Sequence, residues 1–464
     1  MIQFYDSLRG EKVPFHKKPG EKVGMYVCGP TVYDFAHLGH GRSAVAFDLI
    51  RRFLEFSGYE VNFVSNFTDI DDKMIDRAAK EGISVEELSD RIIPEYEADY
   101  GLLGIKPPTH KPKATEYVPQ MIDIIRKLEA KGCTYVLEDG VYFDIKTFPE
   151  YGKLSHQKLE ELNAGARMEE RKDKRNHQDF VLWKFKKEGE PFWQSPWGEG
   201  RPGWHIECSA MSSTLLGEHF DIHGGGLDLK FPHHECELAQ SEAASGLPLA
   251  DIWMHNGYIT VNEEKMSKSL NNFFTLKEIF EPHGPYAPLV VRFFLLSAHY
   301  RSPLEFTHSS LQQAEATLDK LRNFCFLNLA KDGDLDTKLI AAVTEKMEND
   351  LDLPGAFGLI FAWMKTGPSK PRKTLEKIDE FLGIFKTLFE PRENHYTLPI
   401  EDDEALGQLE DARAVKNYVL ADQIRDELVK KGYDIQVEKN GNVAWSINRE
   451  RRNKYLSETS VSPD

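Results

Sequence analysis

The stretch KVGMYVCGPTVYDFAHLGHGRSAVAFDLIRRFLEFSGYEVNFVSN, residues 22–66, decides the fold. Both of its ends carry the alternating or continuous apolar residues that are typical of strands. Between them, apolar residues recur at helical spacing after Gly41 and stop before Gly58, which predicts a helix. A strand–helix–strand unit implies parallel strands whose carboxyl ends form a binding site. Cys28 and Thr68 both fall at those ends.

The segment HLGH, residues 37–40, lies where the predicted helix begins. Helix N-termini bind anions through unpaired N–H groups and the helix dipole. Gly39 lets a ligand approach the main chain closely, and His37 and His40 can donate hydrogen bonds to charge that develops on a phosphate. The motif is short, so taken alone it is better explained as two loop histidines near a helix start.

The segment KMSKS, residues 265–269, indicates the same chemistry more strongly. Two lysines with serines between them suit a pyrophosphate group, because they offer point charges and small hydroxyl donors. An ordinary solvated basic turn is disfavoured, since HLGH precedes it in the first strand–helix turn. The chain has no GxxxxGK[ST] sequence, and Gly224–Gly226 is not a GxGxxG fingerprint, so a P-loop enzyme is not supported.

Scattered cysteine, histidine and glutamate residues have the chemistry of a zinc site. Cys28 ends the first strand, and Cys208 lies at a predicted helix start. His233 and Glu237 are four residues apart on a predicted helix opened by Pro232, so they share one face. No two cysteines have CxxC spacing, and composition alone favours buried, inert thiols. Spacing does not eliminate these neighbouring donors: His205, His223, His234, Glu235 and Cys236.

Composition limits the class of protein. The chain has 464 residues and a formal net charge of −17, which argues against loose, sequence-independent nucleic-acid binding. Basic clusters at 172–175 and 449–454 are more simply explained as solvated surface charge. The five cysteines are too few and scattered for a disulfide framework, and Cys325 falls on an apolar helical spacing. We expect neither a secretory signal nor a membrane span.

The pattern changes twice along the chain. Residues 111–202 are rich in charge, Trp and Pro and show little periodicity, so we interpret them as an insertion. Strands are predicted to return at 220–222 and 252–254, with the glycine run after the first of them. Beyond about residue 305 helical spacing dominates, with one strong apolar stripe from Leu375 to Phe389. A linker at 392–404, one helix at about 409–431 and a hairpin pairing 435 and 437 with 443 and 445 complete the prediction.

At this point the chain resembles a known family along nearly its whole length: the bacterial cysteinyl-tRNA synthetases, of class I of the aminoacyl-tRNA synthetases. The matching segments are YVCGPTVYD at 26–34, HLGH at 37–40, NFTDIDDK at 66–73, SPWG at 195–198, GWHIECSAM at 203–211, GGGLDLKFPHHECE at 224–237, KMSKS at 265–269, and the pairs 412–413, 416–417, 421–422 and 424–425. Such a set in this order is very specific.

The resemblance implies an α/β fold: a Rossmann-like, parallel-sheet catalytic domain with a connective insertion, followed by an α-helical anticodon-binding region and a small C-terminal domain. Its implied parts are the first half of the catalytic domain at 1–110, the connective insertion at 111–202, the second half with the zinc ligands and KMSKS loop at 203–305, a helical bundle on the tRNA stem and anticodon side at 306–395, and a C-terminal anticodon-recognition domain at 405–464.

The resemblance also implies site residues. One Zn²⁺ per subunit would be bound by Cys28, Cys208, His233 and Glu237, and the substrate thiolate would join it. Since four protein ligands normally close a zinc site, the metal would become five-coordinate or Glu237 would loosen. The ATP-binding residues would be His37, Gly39, His40, Lys265, Ser267 and Lys268, and both histidines and both lysines would be catalytic. Cys28, Gly29, Thr68 and Trp204 would line the cysteine pocket, and Asp228 would hold the ammonium group. Core packing is an equally good explanation for Trp204.

The implied reaction is ATP-dependent formation of cysteinyl-adenylate, followed by transfer to the 3′-terminal ribose of tRNA(Cys). Its partners would be L-cysteine, ATP with Mg²⁺, and tRNA(Cys), and Trp445 would stack on an anticodon base. Because zinc binds soft sulfur and lowers thiol pKa values, serine should be rejected without an editing step. We expect a cytoplasmic monomer that does not associate with membranes.

Two other functions share parts of this pattern. A ligase of the same fold that joins cysteine to an aminosugar–inositol would share the active-site residues, but the helices after residue 305 argue against it. A non-catalytic RNA-binding relative is opposed by the intact HLGH and KMSKS segments. Cys236 stands where the family pattern has asparagine, so it is either a neutral packing change or a competing soft ligand.

Overall fold

The protein is described from a computed structural model. The structure describes residues 1–157, 173–261, 264–266, 273–280, 286–328, 333–389, 400–437 and 443–447. Several predicted features lie outside the described residues: Ser267, Lys268, the linker up to 399, the turn 439–442, the cluster 449–454, and the side chains of Lys265 and Trp445.

The chain divides into two compact units, one of Met1–Lys320 with Ala330–Lys386 and one of Leu321–Leu329 with Thr387–Asp464. The five-part division made from the sequence stays a prediction. Among the described helices, none is long and apolar enough to cross a membrane.

The strands are β1 (Gln3–Asp6), β2 (Glu11–Pro14), β3 (Lys22–Val27), β4 (Glu60–Ser65), β5 (Thr134–Leu137), β6 (Gly140–Phe143), β7 (Phe180–Phe185), β8 (Gly200–Pro202), β9 (Phe220–Gly226), β10 (Ala250–Asn256), β11 (Ile259–Val261), β12 (Glu264–Lys265), β13 (Leu304–Glu305), β14 (Tyr433–Val437) and β15 (Val443–Ile447). The α-helices are α1 (Leu38–Phe56), α2 (Asp72–Glu81), α3 (Val85–Leu102), α4 (Val118–Ala130), α5 (Trp204–Leu216), α6 (Glu235–Ser245), α7 (Leu276–Phe280), α8 (Ala287–Leu296), α9 (His308–Phe326), α10 (Thr337–Glu348), α11 (Leu353–Met364), α12 (Arg372–Leu382), α13 (Phe385–Phe389), α14 (Ile400–Ala414) and α15 (Tyr418–Lys430). Short 3₁₀ or π turns lie at Ala114–Tyr117, Ile145–Thr147, Leu227–Leu229 and Lys230–His234.

A four-stranded parallel sheet in the order β10-β9-β3-β4 forms the centre of the first unit. The predicted strand–helix–strand unit is confirmed, because β3 and β4 pair in parallel and α1 connects them. The strands predicted at 220–222 and 252–254 are also confirmed. Both are longer than predicted, and Gly224–Gly226 is the end of β9 rather than a loop after it. The predicted α/β fold class with a parallel sheet is therefore confirmed.

The inserted region is more regular than its sequence suggested. It contains α4 and a four-stranded antiparallel sheet in the order β5-β6-β7-β8. Buried residues of this sheet, such as Phe143 and Trp183, belong to one apolar cluster with Tyr26 and Val64 of the parallel sheet. The insertion thus shares a core with the parallel sheet.

The regular part of α6 begins three residues after Pro232, at Glu235, so the helix start predicted from Pro232 is wrong by one turn. A π turn over Lys230–His234, in which Phe231 has extended backbone angles and a cis bond to Pro232, precedes the helix. His233 and Glu237 still lie one above the other across this junction, where a hydrogen-bonded ion pair of 2.7 Å joins them.

The apolar stripe from Leu375 to Phe389 is buried as predicted, but it spans two helices. α12 ends where Gly383 adopts a left-handed conformation with φ of 66°. The carboxylate of Asp379 accepts main-chain N–H groups after this turn, at 2.5 Å from Ile384 and 2.7 Å from Phe385.

In the second unit, two helices replace the single helix predicted at 409–431. α14 begins at Ile400, inside the predicted linker, and ends before Lys416, which has φ of 58°. Asn417 then caps α15 by accepting the N–H of Leu420 at 3.3 Å. The predicted hairpin is confirmed, with Ile435 opposite Trp445 and Val437 opposite Val443.

A buried ion pair joins helices of the first unit. Asp48 of α1 is 1% exposed and accepts hydrogen bonds of 2.7 Å from both Arg292 of α8 and Arg52. Arg292, also 1% exposed, donates in addition to the carbonyl groups of Leu103 and Leu382 at 3.1 and 2.9 Å. This pair links α1 with the ends of α3 and α12.

We expect Asp48→Asn to lower the free energy of unfolding by about 3–5 kcal/mol, because it leaves the buried Arg292 cation without a compensating charge. Urea-induced unfolding followed by circular dichroism measures this. Asp123→Asn is the control, since Asp123 forms an exposed, 3.9 Å pair with Arg126 and its loss should produce no measurable change. Equal stability of the two variants would contradict the role given to the buried pair.

Candidate active site and metal cluster

A cavity of about 600 Å³ opens at the carboxyl ends of the parallel strands. Its wall includes Cys28 and Gly29 after β3, Asp228 after β9, and Asn256 at the end of β10. Parallel strands end at the same edge of a sheet, so residues distant in sequence meet there. The start of α1 lies at the same edge.

His37 and His40 form a reciprocal cap at the start of α1. The Nδ1 atom of His37 accepts the N–H of His40 at 3.2 Å, and the Nδ1 atom of His40 accepts the N–H of His37 at 3.3 Å. The rings stack with centroids 3.5 Å apart, and the Tyr96 hydroxyl lies 3.2 Å from Nδ1 of His40. Because the Nδ1 atom of each histidine accepts a main-chain N–H group, each ring in its neutral form carries its proton on Nε2. Both residues line the cavity, as does Gly39.

The described ends of the KMSKS loop lie beside this histidine pair. Lys265 belongs to β12, and Met266 lines the cavity. After the loop, the Phe273 ring contacts the His37 ring edge-on with centroids 5.0 Å apart. The N–H of Leu38 donates to the carbonyl of Phe274 at 3.1 Å, so the returning chain pairs directly with the HLGH segment.

Cys28, Cys208, His233 and Glu237 converge on one buried point, with donor atoms all within 4.8 Å of one another. The sulfur atoms are 3.6 Å apart, Cys208 Sγ lies 3.6 Å from His233 Nε2, and Cys28 Sγ lies 3.2 Å from Glu237 Oε1. Around a tetrahedral zinc ion with bonds of about 2.0–2.3 Å, neighbouring ligand atoms lie roughly 3.3–3.8 Å apart. The chemistry and spacing of the four donors therefore fit a metal ion.

The structure also places the competing donors. The Glu235 carboxylate accepts the N–H groups of Gly152 and Ser155 at 2.9 and 2.7 Å. The Cys236 thiol contacts the Tyr151 hydroxyl at 3.4 Å, and burial raises its pKa. Both side chains are thus engaged elsewhere, and Cys236 is a packing residue.

Three histidines surround the cluster. Nε2 of His223 lies 2.8 Å from Glu237 Oε2, and Nδ1 of His205 lies 3.0 Å from Nδ1 of His233. Cys28, His223 and His234 form a second possible donor group, and Nδ1 of His234 lies 2.8 Å from Nε2 of His255. Contacts of this kind orient metal ligands and tune their basicity. His205 and His223 support the candidate ligands, a role that spacing alone did not reveal.

Two of the four donors, Cys208 and Glu237, are held in the ionised form that a metal ion binds, whereas burial raises the pKa of Cys28 and His233 holds a proton. A hydrogen bond from Cys28 is the largest cause that lowers the pKa of Cys208 to about 6. Burial opposes ionisation of Glu237, but the charges of His233 and His223 outweigh it and lower its pKa. Burial likewise opposes protonation of His233, but Glu237 raises its pKa to about 10. A metal ion would displace that proton, so affinity should rise with pH.

The residues predicted to line the cysteine pocket lie at different positions relative to the cavity. The N–H of Gly29 donates to Asn66 Oδ1 at 2.9 Å, and a Cβ atom on Gly29 would lie 1.6 Å from the Asn66 carbonyl oxygen. Only glycine fits such an approach. Trp204 lines the cavity and stacks on His233 with centroids 4.1 Å apart, so it both packs against the cluster and faces the cavity.

Thr68 is 2% exposed and does not line the cavity. Its hydroxyl donates to Glu207 at 3.0 Å, and its main chain bonds to Pro30 and Val32, so it supports the wall from behind. Glu207 and Asn66 are functional candidates that sequence reasoning missed, although both lie inside the motif segments quoted above. Glu207 is 1% exposed, and burial raises its pKa.

Comparison with known proteins identifies the family. The catalytic-domain family "tRNA synthetases class I (C) catalytic domain" matches residues 14–316. The cysteine–tRNA ligase of Caldicellulosiruptor saccharolyticus is 47% identical over 453 residues, which cover 93% of this chain and 97% of that protein. The chain belongs to the cysteine–tRNA ligases. The ligase of Carboxydothermus hydrogenoformans is 46% identical over 472 residues, covering 96% of this chain and 99% of that protein. This synthetase is therefore related to such ligases over almost its full length.

Solved structures support the class I fold. Mycobacterium tuberculosis methionyl-tRNA synthetase in complex with methionyl-adenylate superposes with a TM-score of 0.57 at 14% identity, covering 79% of this chain and 89% of that chain. The LeuRS–tRNA–LeuAMS ternary complex of Agrobacterium radiobacter K84 superposes with a TM-score of 0.60 at 11% identity. The match covers 97% of this chain and 93% of that chain. At these identities the likeness shows the fold alone.

We expect Cys208→Ser to abolish stoichiometric metal binding and Cys236→Ser to retain it, because only the first removes a converging donor. Both thiols are buried, so the two variants are matched in the kind of atom that is lost. Metal analysis of dialysed protein and the visible absorption of Co²⁺-loaded protein measure the difference. Loss of metal from Cys236→Ser, or its retention by Cys208→Ser, would contradict the ligand assignment.

Proposed function

We propose that this enzyme activates L-cysteine with ATP to cysteinyl-adenylate and transfers the cysteinyl group to the 3′-terminal ribose of tRNA(Cys), releasing AMP and diphosphate. One observation carries the proposal: Cys28 belongs both to the metal cluster and to the wall of a cavity that His37 and His40 also line. A site for a soft metal thus adjoins a site for phosphates, in a cavity of the size that holds small ligands.

Cys28, Cys208, His233 and Glu237 would hold Zn²⁺. Bound there, the ion would supply a soft Lewis acid that binds a thiolate far better than an alcohol. His205 and His223 contact two of these ligands, His233 and Glu237, and orient them. This arrangement would let the enzyme select cysteine over serine at the binding step.

In the first step, a carboxylate oxygen of cysteine attacks the α-phosphorus of ATP, and the bond to the leaving diphosphate breaks. Nε2 of His37 and of His40 would donate hydrogen bonds to the phosphates, and the N–H groups at the start of α1 add a partial positive charge. We assign Lys265, Ser267 and Lys268 to the diphosphate, with Mg²⁺ entering on ATP. Positioning and electrostatic stabilisation supply the rate, since no side-chain nucleophile is needed.

The amino-acid pocket would use the edge of the cavity next to the cluster. Gly29 and Trp204 would form its walls, and the carboxylate of Asp228 would accept the substrate ammonium group. Thr68 would act by holding the segment from Pro30 to Val32, to which its main chain bonds at 3.0 and 3.1 Å. In the second step, the terminal ribose hydroxyl of tRNA attacks the adenylate carbonyl and AMP leaves.

We assign anticodon recognition to the helices after residue 305 and to the C-terminal region with its hairpin. Helices and a hairpin in addition to the cavity-bearing part suit a macromolecular acceptor and exceed the need of an aminosugar. We further propose that the enzyme acts in the cytoplasm as a monomer.

We expect cysteine to drive ATP–diphosphate exchange and serine to give negligible exchange, because serine lacks the thiol that the cluster selects. Removal of metal with a chelator should abolish the cysteine-dependent signal, and added Zn²⁺ should restore it. Charging of tRNA(Cys) with labelled cysteine then separates the synthetase from an aminosugar ligase. Exchange with serine at a comparable rate would refute the selection argument, and exchange without tRNA charging would refute the assigned acceptor.

We expect His37→Asn to lower the turnover number of exchange by about 10²–10³-fold, the cost typical of removing one donor to developing negative charge. The asparagine oxygen can still accept the N–H of His40, so the helix cap and the thermal midpoint should be retained. His219→Asn, at a histidine whose side chain is 41% exposed, is the control and should leave turnover unchanged. A large fall in thermal midpoint with normal turnover per folded molecule would contradict the assigned role.

A further inference from the structure

Arg42 occupies an unusual position in the first turns of α1. It lies two residues after His40 and is 2% exposed. Its guanidinium donates to four main-chain carbonyl groups. These acceptors are Leu295, at the C-terminal end of α8, and His299, Tyr300 and Ser302 in the turn that follows, the last three at 2.7, 3.2 and 3.2 Å.

The Arg42 cation is well placed to bind these carbonyl groups. The carbonyl groups at a helix C-terminus carry partial negative charge, which favours a cation there. A planar guanidinium can donate to several acceptors at once, which a lysine ammonium cannot match in geometry. Burial lowers the pKa of Arg42 to about 10, so the side chain remains charged at neutral pH.

The turn that Arg42 holds leads directly into the sheet that carries the lysine loop. The carbonyl of Tyr300 also accepts the N–H of Gly257 at 2.9 Å, and a Cβ atom on Gly257 would lie 2.4 Å from the Ser302 oxygen. Gly257 precedes β11, which pairs with β13 on one side and with β12 on the other. Lys265 lies in β12, opposite Thr260.

The chain returning from the loop is held to the same helix start by other contacts. Leu38 and Leu276 form main-chain bonds of 3.1 and 2.9 Å to Phe274 and Ala36. One helix start is therefore linked to both sides of the loop. The link to β12 is indirect, through Arg42 and the turn at 295–302, and the link to the returning chain is direct, through main-chain hydrogen bonds.

We propose that Arg42 is a positioning residue for adenylation: it sets the place of the Lys265 strand relative to His37 and His40, through the turn at 295–302. The proposal rests on the proposed function, because it assumes that these groups act on one triphosphate. Arg42 itself does not line the cavity and is not one of the converging donors. Its effect is on geometry, and misplacement by about 1 Å in such a site can cost about 10²-fold in rate.

Arg292 provides a matched control. It is also buried, also joins α1 to α8, and also donates to main-chain carbonyl groups, but its acceptors at Leu103 and Leu382 lie away from the turn that leads to β13. Arg292→Lys should therefore destabilise the enzyme without changing the position of the Lys265 strand relative to the HLGH segment.

The test measures cysteine-dependent ATP–diphosphate exchange and thermal midpoints for Arg42→Lys, Arg42→Ala and Arg292→Lys, with the visible spectrum of Co²⁺-loaded protein. We expect Arg42→Lys to lose about 10²-fold in kcat, with KM for cysteine and the Co²⁺ spectrum unchanged. Arg292→Lys should show a similar fall in thermal midpoint and an unchanged kcat. Guanidinium ion at low millimolar concentration should raise the kcat of Arg42→Ala and leave wild type unaffected.

A kcat of Arg42→Lys equal to that of Arg292→Lys would overturn the inference while leaving the proposed function intact. So would a change confined to KM for cysteine, or a changed Co²⁺ spectrum, since either would locate the effect at the cluster. If Arg42→Lys folds poorly, guanidinium rescue of Arg42→Ala tests the same role, and failure of rescue counts against the inference. A wild-type enzyme that gives no exchange with cysteine would overturn the proposed function and this inference together.

Discussion

The common carboxyl edge of four parallel strands is the constraint on which the site depends. Parallel pairing of β3, β4, β9 and β10 brings the segments after each strand to one side of the sheet. The connecting helices then begin or end at that same side, which adds Cys208 from α5 and the turn before α6. Residues separated by 180 positions in the chain, Cys28 and Cys208, meet for this reason. No local motif could bring them together.

Several buried charged groups are tolerated here because an opposite charge or a dipole matches each of them. Within the cluster, Glu237 faces two histidines, and Cys208 faces a thiol and an imidazole. Elsewhere, Asp48 and Arg292 compensate each other, and Arg42 is compensated by carbonyl dipoles. An isolated buried charge would cost several kcal/mol, so these pairings define which side chains can occupy the interior.

Much of this arrangement could be predicted from the sequence, for physical reasons that differ by element. The strand–helix–strand unit has long, clean periodicity, and the HLGH segment sits at its helix start because the flanking pattern places it there. Spacing alone could not choose among Glu235, Cys236 and Glu237, and only the family resemblance pointed to Glu237. Neighbouring residues on a helix face different directions, and the phase depends on where the helix begins. The inserted sheet escaped prediction because strands of three to six residues carry little periodic signal. The break between α14 and α15 escaped because Lys416, rather than glycine, takes the left-handed conformation.

The order of the cluster's donors along the chain has a consequence for biosynthesis. The first thiol emerges from the ribosome 180 residues before the second, and the second thiol, the imidazole and the carboxylate all follow the whole inserted sheet. A nascent chain that stops short of Glu237 therefore lacks one of the four donors, however much of the nucleotide-binding half has already folded. Closing a loop of that length is entropically costly and slow compared with forming local contacts. A metal ion held by all four donors would then be loaded late, after the strands and helices that carry these donors have come together.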